Sequence, residues 1–68
     1  MIEIKIDGEY IKLDQLLKAA NVADSGGQAK IMIHSGMVQV NGETVKQRGR
    51  KIMAGDEVIV DRAHIKVF

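Results

Sequence analysis

From Lys46 to Lys51 the chain reads Lys46-Gln47-Arg48-Gly49-Arg50-Lys51, four cations in six residues with no acid among them. Such a run suits a line of phosphates. Guanidinium groups grip phosphate oxygens with two parallel N–H bonds, and lysine ammonium groups serve as point charges. The run belongs to a wider asymmetry: residues 12–51 hold seven basic side chains (Lys12, Lys18, Lys30, Lys46, Arg48, Arg50, Lys51) against three acids (Asp14, Asp24, Glu43). Outside that span the balance is reversed, with three basic residues against six acids. The formal charge of +1 is thus an average over a basic middle and acidic ends.

A second anion-binding device stands at Ser25-Gly26-Gly27-Gln28. Free backbone N–H groups at a helix start attract an anion, and glycines let a phosphate come close. Reactive chemistry finds no support. The chain lacks cysteine, a paired-carboxylate motif and a Walker-type loop, so no enzyme activity and no cofactor are expected. His34 and His64 stand too far apart in sequence to suggest a metal pair. Tyr10 and Phe68 are the only aromatics, which argues against a stacking platform for single-stranded bases.

These residues need elements to hold them. Ile2, Ile4 and Ile6 alternate with polar residues, as in a half-buried edge strand that ends at the turn Asp7-Gly8-Glu9. Leu13, Leu16, Leu17 and Ala20 form an apolar stripe at helical spacing, with Asn21 placed to end the helix in a left-handed cap. Asp14 and Lys18 are spaced as a surface ion pair on it. Ser25 and Gln28 have capping-box spacing, so a second helix starts there and runs to Ser35, followed by Gly36. Ala29, Met32 and Ile33 would face inward, while Lys30, Ile31 and His34 turn outward. Simple amphipathicity leaves Ile31 without a role unless a loop or a partner covers it. Val38 and Val40 then lead into Asn41-Gly42, the strongest short signal of a β-hairpin. Ala54-Gly55-Asp56 turns the chain into Val58-Ile59-Val60, with a last strand through Ile65 and Val67.

With 68 residues a single domain, 1–68, is expected. The absence of cysteine fits a cytoplasmic setting, and no stretch has the apolar length of a signal peptide or membrane span.

In order and spacing, four pieces resemble the S-four-type RNA-binding domain, also called the α-L motif. They are Lys12-Leu13-Asp14-Gln15-Leu16-Leu17; Ser25 with Ala29-Lys30 and Ile33; Gly36-Met37-Val38-Gln39-Val40-Asn41-Gly42; and Gly55-Asp56-Glu57-Val58-Ile59-Val60. They span residues 12–60. Ser25-Gly26-Gly27 with the Arg48-x-Arg50-Lys51 run is similar to free-standing bacterial members of that family. The resemblance implies an α+β fold in which two short helices pack on a small, mostly antiparallel sheet. It also implies structured RNA held across the second helix and the hairpin, with ribosomal RNA or an assembling ribosomal subunit as the target. The family often has arginine where Lys12 and Gly26 stand. Lys12 keeps the charge without the bidentate fork, and Gly26 offers no side-chain contact.

The expected RNA-binding set is Lys12, Ser25, Gly26, Gly27, Gln28, Lys30, His34, Lys46, Arg48, Arg50 and Lys51, on a monomer that does not engage a membrane. The rival expectation is a protein-interaction module that uses the same basic surface, with Ile31 as an exposed anchor. A sulfur-carrier fold would need a C-terminal Gly-Gly, and the chain ends Lys66-Val67-Phe68.

Overall fold

The isoleucine alternation at the N-terminus becomes a short strand, β1 (Ile2–Ile4), in the computed structural model, which describes residues 1–68. Ile2, Ile4 and Ile6 are half-buried against the core. A two-residue strand, β2 (Ile11–Lys12), leads directly into α1 (Leu13–Ala19), where Leu13, Leu16 and Leu17 are fully buried. Asn21 takes the left-handed conformation expected of it, with φ 59°. Asp14 and Lys18 form no ion pair. Asp14 instead accepts a hydrogen bond from the Gln15 backbone N–H at 2.8 Å, a local partner that needs no long side chain to be held in place.

The second helix, α2 (Gly26–His34), begins on the Ser25 cap: Ser25 Oγ accepts from the Gln28 N–H at 3.1 Å. The return arm of the capping box is displaced by one residue, because Gln28 Oε1 accepts from the Asp24 N–H rather than from that of Ser25. Ser35 is the C-cap, and Gly36 follows at φ 84°. Ala29 and Ile33 are fully buried, while Met32 on the same side is only partly so. Ile31 is 70% exposed, so no loop of this chain covers it.

The hairpin is β3 (Val38–Val40) and β4 (Glu43–Thr44), paired Val40 to Glu43 around Asn41 and Gly42. Those two residues have φ 51° and 87°, the positive pair that a type I′ turn requires. After the basic loop come β5 (Lys51–Ile52), β6 (Glu57–Val60) and β7 (Ala63–Val67). A five-stranded sheet runs β1-β7-β6-β3-β4, antiparallel except for the β1–β7 pair, so the first strand does lie at an edge. The fold is therefore the expected pair of helices on a mostly antiparallel sheet. A second sheet joins β2 to β5.

All fifteen buried residues are apolar and form one cluster that draws on both helices and both sheets. Fully burying a leucine or isoleucine is worth roughly 1.5–3 kcal/mol. The largest of these side chains, on α1, α2, β5 and β7, therefore fix how the small sheet sits against the helices. No helix is long and apolar enough to cross a membrane.

Candidate nucleic-acid interface

The β2–β5 sheet organises the cationic residues. Lys12 and Lys51 are direct cross-strand partners in it, and Ile11 pairs with the buried Ile52 beside them. The loop before β5 is tied down through its backbone. Leu13 N–H donates to the Arg50 carbonyl at 2.9 Å, and Asp14 N–H donates to the Arg48 carbonyl at 3.2 Å. Lys12, the N-cap of α1, makes no side-chain cap bond, so loop carbonyls satisfy helix N–H groups that would otherwise lack partners. This leaves the Arg48 and Arg50 side chains exposed and free. The fold thus gathers Lys12, Arg48, Arg50 and Lys51 from two distant stretches of chain.

Lys46 approaches from the other side. A Cβ on Gly36 would stand 3.5 Å from Lys46 Cε and 3.9 Å from Thr44 Cγ2, so the lysine stem lies over the chain just past the end of α2. A cation there is favoured by the helix dipole. Glu43, Thr44, Val45, Lys46, Gln47 and Arg50 line a shallow, open groove of about 520 Å³. His34, in the last turn of α2, is exposed at this same end of the helix.

Lys30 is exposed on α2, and Ser25, Gly26 and Gly27 mark its start. A nine-residue helix spans roughly 12 Å, longer than the ~10 Å Debye length at 0.1 M salt, so the Ser25 end and the Lys46 end are separate patches. At the Ser25 end, Gly27 is exposed and nothing lies within 4 Å of a Cβ placed on Gly26. Gln28 is spent on the cap, its N–H given to Ser25 and its side-chain oxygen to Asp24. The eleven candidate residues therefore divide between a dense cluster around β2, β5 and the 46–51 loop and a sparser line along α2.

The cluster has an electrostatic peculiarity. The Lys66–Glu57 ion pair and the His64–Glu57 contact both centre on Glu57, and none of the candidate cations has a carboxylate within 4.0 Å. Like charges placed directly across a strand pair, as Lys12 and Lys51 are, destabilise it. One neighbour was not foreseen: the Lys51 ammonium lies 4.9 Å from the centroid of the Tyr10 ring. The only sequence signal for that contact was the proximity of Tyr10 to Lys12. Recognising it required the β2–β5 pairing.

Two short helices on this sheet, with the motif order described above, define a small α+β domain of the α-L type. The chain belongs to the S4 domain family, whose model matches residues 4–68. It is 47% identical over 58 residues to the probable ribosome maturation protein RlbA of Bacillus subtilis, covering 85% of this chain and 82% of that protein. It is 37% identical over 60 residues to an uncharacterised RNA pseudouridine synthase of Aquifex aeolicus, spanning 88% of this chain but 19% of that enzyme. The solution structure of YbcJ from Escherichia coli, described as an α-L motif involved in RNA-binding, superposes with a TM-score of 0.77 at 32% identity, over 98% of this chain and 86% of that one.

Proposed function

We propose that this chain binds structured RNA without a catalytic step. The main contacts are Lys12, Lys46, Arg48, Arg50 and Lys51, with Lys30, His34 and the Ser25–Gln28 start of α2 as a second line. The observation that carries this is the cluster of cations with no carboxylate partner, two of them held opposite each other at a cost to the fold. Phosphates supply the missing counter-charge. Ribosomal RNA within a maturing subunit is the proposed target, in keeping with the ribosome maturation protein and the RNA-binding α-L protein that it resembles. We take the active form to be a cytoplasmic monomer comprising a single domain.

Anisotropy of a labelled RNA stem-loop, titrated with protein at increasing salt, tests the proposal. Each phosphate contact contributes a slope of roughly −0.7 to −0.9 in log affinity against log salt, so the five main contacts give about −4. A flat response overturns it. The exposed Ile31 beside Lys30 and His34 favours a second reading, a protein partner on the outward face of α2. Salt-dependent binding of purified RNA by the isolated protein separates the two.

A further inference from the structure

Tyr10 stands outside the hydrophobic core. The residue is 41% exposed and is not among those packed against the core. Its hydroxyl makes no hydrogen bond within the chain. Its one specific contact is the Lys51 ammonium, 4.9 Å from the ring centroid, and Lys51 pairs with Lys12 next to the chain carrying Arg50. A partly exposed aromatic ring is thus held with one cation over it, and that cation has no acidic partner.

Two aromatics are too few for a platform that takes a run of bases, but one ring suffices for one base: we propose that Tyr10 stacks on a single unpaired RNA base beside the phosphates that Lys51 and Arg50 hold. The inference rests on the RNA-binding function proposed above and narrows its substrate class. A base inside an A-form helix has both faces covered by its neighbours, so the ring can reach only a nucleotide released from the stack, at a bulge, loop or helix end. Stacking on an aromatic face is tolerant of base identity, because every base presents a π-surface. The chain would therefore select a structural feature, an unpaired nucleotide next to a duplex, and the nearby lysine would anchor the adjoining backbone. The cation over the ring also keeps the aromatic plane from rotating freely before RNA arrives.

The chain has one tyrosine and no tryptophan, so its near-ultraviolet emission reports on Tyr10. Two labelled RNA stem-loops with the same loop and the same ends are compared at low salt, one with a single bulged nucleotide in its stem and one with its stem fully paired, so that only the bulge differs, against the native chain, Tyr10→Phe and Tyr10→Leu. The expected result is quenching of tyrosine emission by the bulged RNA. Tyr10→Leu should lose roughly five- to ten-fold in affinity for that RNA, the lower end of base–aromatic stacking, while Tyr10→Phe binds as the native chain does. The salt slope should be the same in all three proteins, because no phosphate contact is removed; a slope that falls with Tyr10→Leu would assign the ring to positioning Lys51 and overturn the proposal. Unchanged emission, or equal binding of both RNAs by Tyr10→Leu and the native chain, also overturns it while leaving the RNA-binding function standing. If neither RNA binds the native chain, the RNA-binding function itself fails. Circular dichroism of both variants checks that the overall fold is retained.

Discussion

The protein carries two charged regions built on opposite rules. On the sheet, Lys66 sits in register with Glu3 on one neighbouring strand and Glu57 on the other, so signs alternate across β1, β7 and β6. Glu57 reaches Lys66 Nζ at 3.9 Å and His64 Nε2 at 3.5 Å, the latter closed off from water and without a hydrogen bond. Around β2 and β5 the same cross-strand geometry sets Lys12 against Lys51, with no acid to separate them. The sheet shows that the fold can neutralise a charge where nothing external is needed. The cluster around β2 and β5 has no such neighbour, and the proposed RNA contact would supply its counter-charge.

The contrast is broken most directly at the loop. Arg48→Glu with Arg50→Glu should lower affinity for an RNA stem-loop by more than about a hundred-fold, since two phosphate contacts become repulsions. Thermal stability should stay near native, because the fold uses only the carbonyls of these residues. Undiminished anisotropy titrations would place the interface elsewhere. Gly27→Asp probes the start of α2: a carboxylate in the first turn gains about 0.3–1 kcal/mol from the helix dipole and meets open space beside the Ser25 hydroxyl. The melting temperature should hold or rise while RNA affinity falls several-fold. Affinity that stays unchanged would reduce Ser25-Gly26-Gly27 to a cap.

Lys12→Gln sharpens the comparison further, because stability and binding should move apart. Relief of the Lys12–Lys51 repulsion should raise stability by roughly 0.2–1 kcal/mol in urea unfolding, most clearly at low salt, while the salt slope for RNA shrinks by about one contact. Loss of stability would mean that the like-charge pair carries no strain. Glu57→Gln is the smallest effect expected. Both partners of Glu57 are partly exposed, so stability should drop by about 0.5 kcal/mol or less, with RNA affinity unaltered. A change in affinity would tie the neutralised sheet to binding.

The elements written in local sequence were the ones that could be read in advance. Asn41-Gly42, the Ser25–Gln28 spacing and the leucine stripe of α1 each act within a few residues, and each stands where expected. Contacts between distant stretches were not legible. The β2 and β5 strands have two residues each, too short for any periodicity, and only the fold brings residues 11–12 to 51–52. The same holds for Asn41, whose side-chain amide donates to Asp56 Oδ1 at 3.0 Å and whose side-chain oxygen accepts from the Glu57 N–H at 2.9 Å. A residue read as pure turn chemistry thereby also locks the hairpin to the start of β6. Of the candidate cations, the types and clustering at 46–51 could be read from sequence. The separation of the two ends of α2, the Lys46 stem over Gly36 and the contact of Lys51 with Tyr10 could not.

The Arg48 and Arg50 carbonyls that receive the first two N–H groups of α1 have a consequence for timing and entropy. A loop anchored at both carbonyls is ordered before any ligand arrives, so association does not have to freeze its backbone, which would otherwise cost roughly 1–2 kcal/mol per residue. The same two bonds make the loop and the helix open together. The amide protons of Leu13 and Asp14 should therefore exchange with solvent at the rate at which the arginine loop lifts away, and slow further when the loop is occupied. The helix start becomes a clock for the loop whose carbonyls it holds.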